Sequence, residues 1–246
     1  MKLELKKPSM VLFDFGGTLF YDGKMDFISG AEKVRLAADN PDVTTAQEMK
    51  KVWDMICNDA DDFLGNNGKY KSDYYVDSVF RHIFARTGLK YSIHMSEIVR
   101  IFDENNSSRE QTPNMELFLK TLGEKNIRTA VISNVKISAE VMKVSLDKGY
   151  PNNKFEFVIT SADYLFCKPA PYMFESAAAL AKLSPEDCWY CGDCIEPDVF
   201  GSGSVGMKPF LFNKNFEKEL EKKNHEGIDY YALNDWKHLA KAVKEM

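Results

Sequence analysis

The sequence predicts an α/β protein: a doubly wound parallel sheet with an all-α helical bundle inserted into it. Three patterns predict this. From residue 113 onward, short apolar runs bounded by glycine or polar residues alternate with amphipathic helical stretches, the rhythm of parallel strands joined by helical crossovers. Between residues 22 and 112 only helical periodicity is visible. The first apolar run, Met10 to Phe13, stops at Asp14 and is followed at once by Gly16 and Gly17, as a buried strand does when it delivers a carboxylate to a turn.

Composition bounds the function. The chain has 246 residues, 44% hydrophobic and 13% aromatic, enough for a sizeable core. With 32 basic and 37 acidic residues interspersed, the formal charge is −5, and no basic face for nucleic acid announces itself. No apolar run approaches the roughly 18 residues of a membrane span. Met1 to Pro8 carries charges where a signal peptide needs an apolar segment, so a cytoplasmic protein without membrane or nucleic-acid partners is expected. Five cysteines, an odd number, fit reduced thiols better than a disulfide framework. The sequence gives no reading of oligomeric state.

The elements follow in order. After the strand at Met10–Phe13, the stretch from Asp22 to Thr112 reads as helices with no convincing strand. Thr45 to Leu64 sets Met49, Val52, Trp53, Ile56, Ala60, Phe63 and Leu64 on one face and opens with a Thr45/Glu48 capping box. Ser72 to Thr87 carries Val76, Val79, Phe80, Ile83 and Phe84 at the same spacing and stops at Gly88, and Ser96 to Asn105 buries Ile98, Ile101 and Phe102. Amphipathic stripes must bury one face, so these helices pack on one another rather than around a cofactor. Residues 1–21 and 113–246 are then the sheet domain, and 22–112 a helical insertion. Helices at Met115–Lys125, Ser138–Lys148 and Pro171–Lys182 alternate with strands at Thr129–Ile132, Phe155–Ile159, Cys188–Cys191 and Lys208–Phe212. Such alternation implies right-handed crossovers. A strand at Tyr230–Leu233 and a helix capped near Asn234, burying Trp236, Leu239 and Val243, complete the chain.

Each strand end supplies polar residues. Ile132 runs into Ser133 and Asn134, Lys168 precedes Pro169, and Cys191 runs into Gly192 and Asp193, with Asp198 five positions on. Taken singly these are turn formers, a solvated charge and a helix cap. In a parallel sheet, however, the carboxyl ends of the strands share one edge, so Asp14, Ser133, Lys168 and Asp193 should converge. Carboxylates, a hydroxyl and an ammonium at one crevice outline a phosphate and metal site. Cys188, Cys191 and Cys194 have the spacing of a metal cluster, but residues three apart on a strand point to opposite faces, which rules against one ion between the first two.

These residues, in this order, resemble the four motifs of the haloacid dehalogenase (HAD) superfamily: the Asp14 to Leu19 loop, Ser133, Lys168 before Pro169, and Gly192-Asp193 with Asp198. The resemblance covers essentially the whole chain. It implies a Rossmann-like core with a helical cap inserted after the first motif, and a magnesium-dependent phosphohydrolase acting on a small phosphorylated metabolite. Asp14 would be the nucleophile, forming an aspartyl-phosphate. Ser133 and Lys168 would bind the transferred phosphoryl group, with Asn134 and the backbone of Phe15, Gly16 and Gly17 beside it. Asp14, the Gly16 carbonyl, Asp193 and, through water, Asp198 would hold magnesium. Thr18 is expected to brace the turn with its hydroxyl. Tyr21, Asp22, Lys24, Trp53, Lys69, Tyr70, Lys71, Arg81 and His82 are cap-side candidates for choosing the leaving group.

One position departs from the phosphatase pattern. Two residues after the nucleophile that pattern has an aspartate as general acid and base, and here stands Gly16, which has no proton to give or take. Two alternatives stay open. Halide leaves without a proton, which suits a 2-haloacid dehalogenase, although Asp193 and Asp198 argue for a metal that such enzymes do not need. The other alternative is a catalytically weak phosphate-binding protein, against which the retained Asp14 and Lys168 speak.

Overall fold

The computed structural model describes residues 5–66 and 69–246. Strand β1 (Met10–Phe13) leads through the Asp14 turn into β2 (Phe20–Met25). Helices α1 (Phe27–Leu36), α2 (Ala46–Asn66), α3 (Val76–Thr87) and α4 (Met95–Asn105) follow, and the chain returns through β3 (Ser107–Gln111). Then come α5 (Met115–Glu124), β4 (Arg128–Ser133), α6 (Ala139–Gly149), β5 (Phe155–Thr160), the single turn α7 (Ser161–Tyr164), α8 (Tyr172–Ala181) and β6 (Cys188–Gly192). The chain continues with α9 (Gly201–Ser204), β7 (Lys208–Phe212), β8 (Leu220–His225), β9 (Ile228–Leu233) and α10 (Trp236–Lys244).

Seven strands form the central sheet in the order β5-β4-β1-β6-β7-β9-β8, parallel throughout except for the antiparallel edge strand β8. β1 is unbroken and apolar because both its faces are covered. Val11 and Phe13 enter the larger core with Phe118 of α5 and Trp236 of α10, while Met10 and Leu12 enter the core under α8. The same alternation on β6 sends Trp189 and Cys191 to the first face and Cys188 and Tyr190 to the second. Cys188 and Cys191 therefore lie on opposite faces, as their spacing requires, and all five cysteines are free.

The strands and helices expected after residue 113 are present, and the Thr45/Glu48 capping box forms: the Glu48 amide donates to the Thr45 hydroxyl at 3.2 Å, and the Thr45 amide to Glu48 Oε2 at 3.0 Å. Five features correct or refine the sequence reading. The segment expected to be only helical is bracketed by an antiparallel ribbon of β2, which crosses the expected boundary at residues 21 and 22, and β3, which ends just inside the expected boundary at 112. Its sequences are rich in Asp, Gly, Lys, Ser, Arg and Glu, poor strand formers, and pairing arises because the two ends of the insertion must meet. Helix α1, unforeseen, is capped by Asp26, whose carboxylate accepts the Ser29 amide at 3.1 Å, and buries only Gly30, Ala31 and Val34, too slight a stripe to read. The helix expected from Ser72 starts at Val76, because Ser72 instead bridges Phe166. Edge strand β8 has one apolar residue. Finally, the cap of α10, expected near Asn234, is located at Asp235, whose carboxylate accepts the Lys237 amide at 2.9 Å.

Helices α1–α4 close on an aromatic cluster in which Phe27, Trp53, Phe80 and Phe102 meet with ring centroids 4.9–5.7 Å apart. Trp53, a candidate for substrate contact, is part of that core. Among the described residues no helix is long and apolar enough to cross a membrane.

Candidate active site

The site begins where β1 ends. The Asp14 amide still donates to the Cys191 carbonyl of β6 at 2.8 Å, extending the ladder one residue, and then the chain turns sharply. Gly17 has φ +67°, and a Cβ there would lie 2.2 Å from Asp193 Oδ2, so only glycine fits between the two loops. The turn is braced from outside. The hydroxyl of Thr112 donates to the Thr18 carbonyl at 2.5 Å, and Tyr150 donates to the Leu19 carbonyl. The hydroxyl of Thr18, expected to hold the turn, is fully buried and finds no hydrogen-bond partner among the described residues; its carbonyl is what is held.

Lys168 occupies the centre. It is 4% exposed, and its ammonium donates to Asp14 Oδ1 at 2.9 Å, Asp198 Oδ1 at 2.7 Å and the Tyr190 hydroxyl at 2.8 Å, one acceptor for each of its three protons. The Tyr190 oxygen also lies 3.1 Å from the Ile132 carbonyl. Asp198 is filled on both sides, for its Oδ2 accepts the amides of Asp193 at 3.1 Å and Cys194 at 3.0 Å. It thus organises the motif around itself and has no oxygen left open. Asn134 clamps the backbone of Lys168 from the other side: the Lys168 amide donates to Asn134 Oδ1 at 2.8 Å, and Asn134 Nδ2 donates to the Lys168 carbonyl at 3.1 Å. Ser133 is the last residue of β4 and is buried; since Phe13 pairs with Val131, it stands at the strand end next to Asp14. The Phe15 amide donates to Asp14 Oδ1 at 2.7 Å, while its ring packs on Phe20.

Asp14, Lys168 and Asp198 therefore meet, with Ser133 and Asn134 on the adjoining strand end. The half-buried Asp193 faces Gly17, and the ligand atoms of Asp193, Cys194 and Asp198 all lie within 4.8 Å of one another. Tyr190 was not foreseen. It lies within β6 rather than after it, and its only sequence signal is a phenol in an otherwise apolar strand. Of the cap-side candidates, Lys69, Tyr70 and Lys71 line a cleft of about 650 Å³ with Lys168 and Glu196. Arg81 and His82 lie exposed on α3, and Lys24 is exposed on β2. The side chain of Asp22 lies outside the described residues.

The electrostatics follow from burial. Desolvation pushes the Asp14 carboxyl up to about 7; Lys168 opposes this and the charge of Asp198 adds to it. Burial works against the Lys168 ammonium, but Asp14 and Asp198 more than offset it and hold Lys168 above its ordinary value. Asp193 is raised by burial first and by Asp198 next. Asp14 and Asp198 thus share a single ammonium, with Asp193 beside them, and this excess of carboxylates over cationic groups fits a small divalent cation.

The profile of haloacid dehalogenase-like hydrolases matches residues 8–206. The glyceraldehyde 3-phosphate phosphatase of Pyrococcus furiosus is 24% identical over 171 residues, covering 68% of this chain and 66% of that protein. The corresponding phosphatase of Methanopyrus kandleri matches over 40% of its length, so the chain spans less than two thirds of either. Haloacid dehalogenase-like hydrolase domain-containing protein 3 of Mus musculus is 25% identical over 69% of this chain and 67% of its own. Among solved structures, the L-2-haloacid dehalogenase RSc1362 superposes with a TM-score of 0.58 at 16% identity, covering 97% of this chain and 100% of the other. A HAD phosphatase from Thermococcus onnurineus gives 0.55 at 17% identity, covering 94% and 96%. At such identities these structures establish the fold alone. With its parallel sheet and motif residues in place, this chain belongs to the haloacid dehalogenase-like hydrolases.

Proposed function

We propose that this hydrolase is a magnesium-dependent phosphohydrolase acting on a small phosphorylated metabolite through a phospho-Asp14 intermediate. The single observation that carries the reading is the placement of Asp14 and Lys168 at one strand edge, with Asp193 and Asp198 alongside. Both donors to Asp14, Phe15 N and Lys168 Nζ, meet Oδ1, which leaves Oδ2 to attack phosphorus. As the new P–O bond forms, the bond to the leaving oxygen breaks and that oxygen takes its proton from water. A second water then attacks the phosphorus of the acyl phosphate, freeing phosphate and the Asp14 carboxylate. Lys168 and Ser133 bind the phosphoryl oxygens. Asp14, the Gly16 carbonyl and Asp193, with Asp198 behind them, would hold a magnesium ion, which would further neutralise the phosphate charge. Helices α1–α4, within residues 22–112, serve as a cap that closes over the crevice and selects the leaving group.

The 2-haloacid dehalogenase reading is favoured by one observation, Gly16, because halide needs no acid. A screen of phosphorylated metabolites and 2-haloacids, run with magnesium and with chelator, separates the two. Phosphate release that requires magnesium and is abolished by Asp14→Asn in a folded protein is the expected result. Dehalogenation that persists in chelator overturns the proposal.

A further inference from the structure

Outside the crevice, a dense cluster of buried polar groups lies where the segment between α2 and α3 meets the sheet. Lys71 to Asp73 run antiparallel beside Leu165 to Cys167. The Cys167 amide donates to the Lys71 carbonyl at 2.9 Å, and the Asp73 amide to the Leu165 carbonyl at 2.8 Å. Asp73 is itself 9% exposed. Its Oδ2 accepts the Ser161 hydroxyl at 2.8 Å and lies 3.7 Å from the Cys167 thiol, while Oδ1 accepts the Tyr74 amide at 3.2 Å. Burying a carboxylate is costly, so these bonds must return something.

What they return is visible one bond further on. The Ser161 oxygen accepts the Val135 amide at 2.8 Å, and Val135 directly follows Asn134, whose side chain clamps the Lys168 backbone. Cys167 directly precedes Lys168. One carboxylate from the helical insertion therefore reaches both loops that hold phosphoryl-binding groups, Ser133–Asn134 through Ser161 and Val135, and Lys168 through Cys167. A hydroxyl has one proton. While Asp73 takes it, the Ser161 lone pairs remain for the Val135 N–H. Without that acceptor the proton turns to the Val135 carbonyl, 3.2 Å away; a Ser161 lone pair can still take the Val135 N–H, but Ser161 and the loop it holds are no longer anchored to Asp73.

We propose that Asp73 is a positioning residue, through which the helical insertion sets the spacing of the Ser133–Asn134 loop and Lys168 for phosphoryl transfer. The proposal rests on the phosphohydrolase reading of the crevice. Misplacement of reacting groups by about 1 Å costs on the order of a hundredfold in rate. In the full chain with magnesium and an aryl phosphate, Asp73→Ala is expected to lower kcat about tenfold to a hundredfold. Asp73→Asn, whose amide oxygen still accepts from Ser161, should recover most of that loss. Amide hydrogen exchange at Val135 should speed up in Asp73→Ala and in Ser161→Ala, and stay slow in Asp73→Asn. A residue that only glued the insertion down would lower the melting temperature and leave the kcat of the folded protein alone. Unchanged kcat in folded Asp73→Ala, or unchanged protection of Val135, overturns the proposal. If Asp73→Ala does not fold, Ser161→Ala carries the same two readouts, and its failure to move either is equally decisive. If the unaltered protein does not hydrolyse the aryl phosphate, the phosphohydrolase reading fails, and exchange at Val135 alone decides whether Asp73 governs the loop.

Discussion

Replacing Tyr190 by phenylalanine tests the central arrangement of the site without touching an acid or the lysine. The phenol oxygen accepts one of the three Lys168 protons at 2.8 Å, and both residues are buried. Phenylalanine keeps the ring that packs edge-on against Phe174, 5.0 Å between centroids, so the core is not emptied. What is lost is an acceptor for a charged, buried donor, which costs about 2–3 kcal/mol. For a chain of this size each kcal/mol lowers the melting temperature by about 2–4 °C, so thermal unfolding should fall by roughly 5–10 °C. Asp14 and Asp198 still hold the ammonium, so kcat should fall by less than about tenfold. Differential scanning calorimetry and steady-state kinetics on one preparation measure both. A melting temperature within 1 °C or so of the parent would refute the reasoning, because it would mean that the Lys168 proton finds water or another acceptor.

Three further outcomes follow from the same geometry. The native state holds the Asp14 proton up to about 7, whereas the free side chain loses it near 3.8, so this group favours folding most below 3.8 and its contribution declines as pH rises through 7. A carboxyl ¹³C titration should show the high value in chelator and a lower one with magnesium; identical values would remove the electrostatic case for a cation. Asp193→Asn should raise the magnesium concentration needed for half-maximal rate while leaving the maximal rate closer to the parent, measured by metal titration of phosphate release. Because Gly16 offers no proton, the rate should fall steeply as the leaving-group pKa rises across a series of aryl and alkyl phosphates. General acid catalysis is worth about a hundredfold to ten-thousandfold, and a shallow slope would mean that another group donates.

Strands β1, β4, β6 and β7 are legible because burial on both faces leaves an uninterrupted apolar run, and the residues just beyond them fall at one edge by topology. β2, β3 and β8 are not legible, since Phe20–Met25, Ser107–Gln111 and Leu220–His225 form strands by being paired, not by their own pattern. The meeting of Asp14 and Lys168 follows from position, whereas Asp198, expected only as a water-mediated partner of the metal, bonds Lys168 directly. Tyr190 was missed because a strand interior ordinarily packs core, and nothing local marks a phenol that meets a lysine 22 positions earlier. Asp73 lies still further from view, for its side-chain partners Ser161 and Cys167 stand 88 and 94 residues away.

The division of labour among the three acids is itself an electrostatic solution. Asp198 is 1% exposed and has spent both oxygens, one on Lys168 and one on two backbone amides, so its charge is fixed in place and compensated inside the protein. The single ammonium cannot compensate Asp14 as fully, because it is shared, and the Asp198 charge pushes in the same direction as burial to keep Asp14 protonated. Asp193, with no ammonium of its own, feels that repulsion as well. The surplus negative charge therefore gathers on the two carboxylates nearest the turn, where Gly17 brings the first loop against the last. A divalent cation placed there would lower both groups toward ionisation and draw in a phosphate dianion. The acid that organises the site is thus a different residue from the proposed nucleophile, and a substitution at Asp198 should disturb the placement of Lys168 before it disturbs the chemistry of Asp14.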